Sequence, residues 1–144
     1  MTDPRAVQWF RRTTGKWTSE RRYLFAPKMK PTNMTTEFTI GLGERSNIFV
    51  VEWTGRTEGR MILTLEGDTL SRSKDYFGEG AHPSKISMLD DDAIVMRTEY
   101  DGLKFREEIR MLQADTIRLR QTVGVDAETG QTKIVGQYFE ERTL

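Results

Sequence analysis

The sequence predicts an all-β protein, an antiparallel up-and-down barrel of about ten strands preceded by one short helix. Three observations carry this. From Lys16 onward the apolar pattern has a period of two, the signature of strands with one face buried. The strand-like runs recur at intervals of roughly 8 to 14 residues, with Gly, Asp, Asn and Pro between them. No second segment has the helical periodicity and length to cover a sheet, and an uncovered meander of this size avoids exposed edges by closing on itself.

The elements follow in order. Asp3-Pro4 is an N-cap and first-turn pair, Val7, Phe10 and Arg11 follow at helical spacing, and Gly15 ends the pattern. Trp17, Ser19, Arg21, Tyr23 and Phe25 then share one face of the first strand. Met34, Thr36, Phe38, Ile40 and Leu42 share a face of the second, and a Gly43–Asn47 break leads into IFVVEW. RMILTLEG and TLSRSKDYF come next, and after the loop GEGAHPS comes KISML. Asp90-Asp91-Asp92 reads as a turn before AIVMRTEY, and Asp101-Gly102 as a hairpin turn before LKFREEIRML. TIRLRQTVGV, a DAETG turn and QTKIVGQYFEER close the chain. Sequential hairpins of this kind fit a lipocalin or fatty-acid-binding type of barrel, with a two-sheet sandwich as the alternative. Gly59, Gly124 and Gly136 inside strand runs are expected to mark bends or bulges.

The 144 residues read as a single domain, 1–144, long enough to bury a core. Lys+Arg and Asp+Glu balance at 22 each, so no overall field recruits nucleic acid or an anionic membrane. The N-terminal residues lack a secretory pattern and no run is long and apolar enough to span a bilayer, so a soluble, intracellular protein is expected. With no cysteine, the chain has no thiol nucleophile or thiolate metal site of its own. His82 is the sole histidine and lies in a Gly/Pro loop, so neither a metal centre nor a Ser-His-Asp triad is expected. Gly41-Leu42-Gly43 and Gly78-Glu79-Gly80 lack the strand-to-helix setting of a phosphate loop and read as turns.

Arginine is the informative residue type. In IRLRQT, Arg118, Arg120 and Thr122 share one face while Ile117 and Leu119 share the other, and Arg21 sits with Trp17, Ser19 and Tyr23. Such faces are either a solvated exterior or the lining of a ligand cavity. In the second case, convergent guanidinium forks suit a lipophilic molecule with carboxylate arms, or else internal carboxylates must balance them. Glu107-Glu108 and Glu140-Glu141 are the available acids, and alternation lets only one of each pair face inward. If Arg118 and Arg120 face in, Ile117 and Leu119 face out and need cover from Val7, Trp9 and Phe10 of the helix, or from a partner chain in a homodimer.

The stretch FRRTTGKWTSERRYLF with its Trp17-x-Ser19-x-Arg21 core, together with IRLRQT and GQYFEER, resembles the S-type phycobiliprotein lyases over essentially the whole chain. The resemblance implies a lipocalin-like barrel that binds an open-chain tetrapyrrole as substrate, phycoerythrobilin or phycocyanobilin. It implies delivery of that phycobilin to a cysteine of an apo-phycobiliprotein, in the cytoplasm or a plastid stroma, with no permanently bound cofactor. Arg118 and Arg120 then correspond to bilin-propionate arginines, with Thr122 beside them. Arg21, Trp17, Ser19 and Trp53 join the bilin-binding set, and Glu108 and Glu140 are expected to be catalytic acids facing the pyrrole nitrogens. Besides a lyase, the residues are compatible with a non-catalytic carrier of bilin or another anionic lipophile, or with a barrel filled by its own side chains.

Overall fold

A computed structural model describes residues 3–73 and 82–143. The expected helix forms as α1, Pro4–Arg12. The Asp3 carboxylate accepts from the Arg5 backbone N–H at 2.9 Å, Pro4 needs no partner in the first turn, and the Thr13 hydroxyl donates to the Phe10 carbonyl at the other end. Ten strands follow: β1 Gly15–Phe25, β2 Thr32–Leu42, β3 Ile48–Thr54, β4 Gly59–Glu66, β5 Thr69–Arg72, β6 Ser84–Met88, β7 Ala93–Tyr100, β8 Leu103–Leu112, β9 Ile117–Asp126 and β10 Thr132–Thr143. The fifth expected strand is shorter than its sequence pattern within the described residues, and the rest of that pattern lies outside them.

Every strand pairs antiparallel with its sequence neighbours, and β1 pairs with both β2 and β10, closing the barrel. The expected closed meander is therefore the observed fold. Asp101 and Gly102 both have positive φ, 52° and 74°, which gives the β7–β8 hairpin the turn whose twist matches its strands.

The period of two settles which side chains point in. Trp17, Phe38, Ile40, Phe49, Leu63, Leu65, Leu70, Ile94, Ile109 and Met111 form the interior cluster. Of the two alternative covers for Ile117 and Leu119 on the outer face of β9, helix α1 does not supply one. It plugs one end of the barrel: Ala6, Trp9 and Phe10 face inward, with the Phe10 ring 5.5 Å from that of Phe49. Burying Trp9 and Phe10 there contributes roughly 2–3 kcal/mol each. Leu119 and Phe139, paired across β9 and β10, are left 44% and 40% exposed outside.

Polar contacts lock the plug. Arg12 reaches Asp115 at 2.7 Å and Asp92 at 2.6 Å, and the Trp9 indole N–H donates to the Asp92 carbonyl at 2.8 Å. Arg142 donates to the carbonyls of Arg12, Thr14 and Asp115 while its guanidinium lies 4.4 Å from the Trp17 ring centre. One side chain thus satisfies two carbonyls at the helix-to-strand junction and one in the β8–β9 turn.

The strand glycines also serve a purpose beside the expected bends or bulges. A Cβ on Gly59 would meet the Trp53 ring, one on Gly124 would fall 2.7 Å from the Phe105 ring, and one on Gly136 would fall 2.7 Å from the Tyr138 hydroxyl. They make room for aromatic side chains. The register irregularity of β9–β10 lies between Thr132 and Ile134, opposite Val125 and Gly124, one of the three positions expected to bend or bulge.

Candidate functional site

Above the α1 plug the barrel holds a cavity of about 510 Å³. Its floor is apolar, where Trp9 and Phe10 meet Phe38 and Ile40. Its rim, at the far ends of the strands, is built from Tyr23, Met34, Trp53, Met61, Tyr100, Phe105 and Ile134. Between them β8, β9, β10 and β1 form a charged wall.

Inner-face alternation on β9 points Arg118, Arg120 and Thr122 into the lumen, and the register sets Arg118 beside Glu140 and Arg120 beside Tyr138. Arg118 Nε lies 3.1 Å from Glu140 Oε1, with both side chains at most 5% exposed. The contact is not an aligned hydrogen bond, and neither Glu140 oxygen receives one. Arg118 is also stacked near Trp9, Trp17 and Phe38. Burial pushes the Arg118 guanidinium down from its ordinary value while the Glu140 charge opposes that.

One step toward the rim, Arg120 reaches Glu107 Oε2 at 2.9 Å, and the Thr122 hydroxyl donates to the same oxygen at 2.8 Å. Burial raises the Glu107 carboxyl, but the charges of Arg120 and Arg72 and these hydrogen bonds outweigh it and hold it below its usual value. Tyr138 lies between two arginines, with Arg120 4.3 Å and Arg21 5.2 Å from its ring centre. Burial raises its phenol. Arg21 Nε donates to the buried Ser19 hydroxyl at 3.0 Å. On the other side of the cavity, Arg72 donates to Ser84 Oγ at 2.6 Å, and Ser84 in turn pairs with Thr98. Among the described residues, four inward guanidiniums, of Arg21, Arg72, Arg118 and Arg120, stand with two inward carboxylates, of Glu107 and Glu140.

This ten-stranded barrel has known counterparts in fold. A family model described as "CpeS-like protein" matches residues 61–143, more than half of the chain. The chain belongs to the CpeS-like protein family. The protein named "Putative phycocyanobilin lyase CpcS 2", from Nostoc sp., is 23% identical over 166 residues covering 96% of this chain and 91% of its own. Among solved structures, the S-type phycobiliprotein lyase CPES of Guillardia theta superposes with a TM-score of 0.75 at 16% identity, over 96% of this chain and 93% of that one. A Nostoc punctiforme protein of unknown function from the DUF3598 family gives 0.67 at 17% identity, over 93% of this chain and 49% of that one. The resemblance drawn from Trp17-x-Ser19-x-Arg21, IRLRQT and GQYFEER is borne out.

In this CpeS-like barrel the expected site residues fall into three groups. Arg118, Arg120, Thr122, Arg21 and Trp53 line the cavity. Trp17, Ser19 and Glu140, each 0% exposed, stand behind its surface. Trp17 seals the floor, its N–H donating to the Thr13 carbonyl at 2.8 Å, while Ser19 holds Arg21 and Glu140 faces the arginines. Glu108 is the correction. It lies on the outer face of β8, 3.3 Å from Arg106, and Glu107 takes the inward position. The signal was present in LKFREEIRML, where Glu107 shares the parity of Phe105, Ile109 and Met111, the apolar face of the strand. Tyr138 and Arg72 were also missed, although Tyr138 shares the parity of Glu140 and Arg72 that of Leu70. His82 packs edge-on against Tyr100 at 4.4 Å between ring centres.

Proposed function

We propose that this CpeS-like protein is a phycobiliprotein lyase that binds an open-chain tetrapyrrole non-covalently in its cavity and transfers it to a cysteine of an apo-phycobiliprotein subunit. The observation that carries the reading is one cavity in which guanidiniums, an acid and an aromatic rim converge. Its volume falls within the roughly 300–1,000 Å³ typical of small-molecule pockets. The bilin carboxylates bind guanidinium forks on the wall, Arg120 and Arg21 foremost. Glu107, at the cavity surface, accepts from pyrrole N–H groups and favours the protonated, more electrophilic bilin.

The transfer is an addition. The acceptor's S–H adds across the exocyclic ethylidene double bond of ring A: a C–S bond forms, the thiol hydrogen ends on the bilin as a C–H, and nothing leaves. Since this chain has no cysteine, it holds no competing thiol. Its contribution is orientation of the reactive carbon toward the rim and exclusion of stray additions.

Two measurements test the proposal. Mixing the protein with phycoerythrobilin or phycocyanobilin is expected to shift the bilin absorption, and co-production with a bilin pathway and an acceptor subunit is expected to give a zinc-fluorescent covalent adduct. No spectral change with either bilin would sink the reading. A shift without an adduct for any acceptor would reduce the protein to a carrier.

A further inference from the structure

We propose that the outer face of β8, β9, β10 and β1 is a two-fold interface that seats a second copy of this chain. Neither copy needs a ligand in its cavity for this contact. A groove of about 830 Å³ crosses the face on the outside of the barrel, with Glu20, Arg22, Glu108, Arg110, Leu119 and Phe139 among the residues that line it. Leu119 and Phe139 are cross-strand neighbours at its centre, and both are exposed.

The strand registers make this face a palindrome about the line between β9 and β10. From β8 to β1, one cross-strand row reads Arg110, Leu119, Phe139, Glu20. The next reads Glu108, Gln121, Gln137, Arg22, and the third Arg106, Val123, Val135, Leu24. In every row the two central residues are of one kind, apolar with apolar or amide with amide. In the first two rows the outer residues carry opposite charges, and the signs are exchanged from one row to the next.

A two-fold axis lying in the interface along the strands sets β9 of one copy over β10 of the other, and β8 over β1. Leu119 then meets Phe139 of the second copy, Gln121 meets Gln137, Arg110 meets Glu20 and Glu108 meets Arg22, each contact occurring twice. An axis across the strands, centred on the middle row, instead opposes Glu108 to Glu108 and Arg22 to Arg22, so the charges select the first. A partner carrying one sign of charge meets repulsion in one row or the other, whereas a second copy is complementary in both. Stacked sheets lie about 10 Å apart. Because a barrel is convex, the gap widens from β9 and β10 toward β8 and β1, where these two rows carry arginine and glutamate, long enough to span it. Arg110 and Glu108 also pair with Asp90 and Arg106 of their own chain. The charged rim therefore sets the register, and the apolar centre carries the affinity.

Sedimentation equilibrium tests the interface, with thermal unfolding run on every variant. The wild type is expected at twice the 16.7 kDa of one chain. Phe139→Lys, which puts an ammonium into the apolar centre, is expected to weaken self-association by roughly a hundredfold. Arg110→Glu and Glu20→Arg are each expected to weaken it by roughly tenfold. An equimolar mixture of these two is expected to restore it, since one copy then carries only acids at the ends of that row and the other only arginines. If either charge variant does not fold, the pair Glu108→Arg and Arg22→Glu carries the same comparison. A monomeric wild type overturns the proposal and leaves the face to a different partner. A Phe139→Lys variant that associates like wild type, or a mixture no tighter than its components, overturns it as well.

Discussion

Arg118 and Glu140 face each other at 3.1 Å across β9 and β10, closed off from solvent and without an aligned hydrogen bond between them. The pair is electrostatically matched but poorly solvated, so its members are worth little to stability together and a great deal apart. Arg118→Met or Glu140→Leu alone is expected to cost about 3–5 kcal/mol by urea unfolding, and the double replacement to recover most of that loss. A double variant no more stable than the worse single one would show that the pair is not a closed unit.

Glu107 and Glu108 are adjacent in sequence and on opposite faces of the wall. Glu107→Gln is expected to change the absorption of bound bilin and weaken its binding, while Glu108→Gln leaves both unaltered and shifts stability by less than about 0.5 kcal/mol. The reverse result would mean that β8 is turned by one residue.

The same carboxyl has a pH signature. Because folding holds Glu107 below its ordinary value, its charged form is favoured in the native state, and that contribution is complete above the ordinary carboxylate range. It is lost as the pH falls through the depressed native value. The stability difference between wild type and Glu107→Gln should thus stay level from neutrality to about pH 5 and shrink below about pH 4, as followed by urea unfolding.

Arg142 bridges the Arg12 and Thr14 carbonyls at the junction of α1 and β1 to the Asp115 carbonyl in the β8–β9 turn. Arg142→Met is expected to cost about 2–3 kcal/mol, and Arg142→Lys to restore only part, since an ammonium cannot reach all three acceptors in the geometry of a fork. Tryptophan fluorescence should change with unfolding or earlier, as Trp9 and Trp17 flank this junction.

Gly124→Ala is expected to push the Phe105 ring from its place and destabilise by about 1–3 kcal/mol, less so in a Phe105→Ala background where the ring is gone. Equal costs in the two backgrounds would show that the glycine is needed for its backbone rather than for the space.

Much of this was legible in the sequence because a strand has only two faces. Alternation and turn residues give the ten strands, and the inward direction of Arg118 and Arg120 follows once the meander is taken to close. What alternation does not reveal is depth. Trp17 and Ser19 share a face with Arg21, yet they lie behind the cavity surface while Arg21 lines it, because depth depends on the α1 plug and on the opposite wall. Glu108 was misplaced although the apolar parity of Phe105, Ile109 and Met111 argued for Glu107. The Arg118–Glu140 and Arg120–Glu107 pairs depend on the registers of β8, β9 and β10, which turn lengths constrain only loosely. Arg72 stands alone in a short strand, and its relation to Ser84 appears only when β5 and β6 are brought together.

The α1 plug has a kinetic consequence. Among the described residues the base is sealed, so under the reading proposed above a bilin leaves past the rim by which it entered. If the protein is a lyase as proposed, loading and unloading then alternate, and an acceptor subunit seated over the rim shuts out the next bilin while it receives the first.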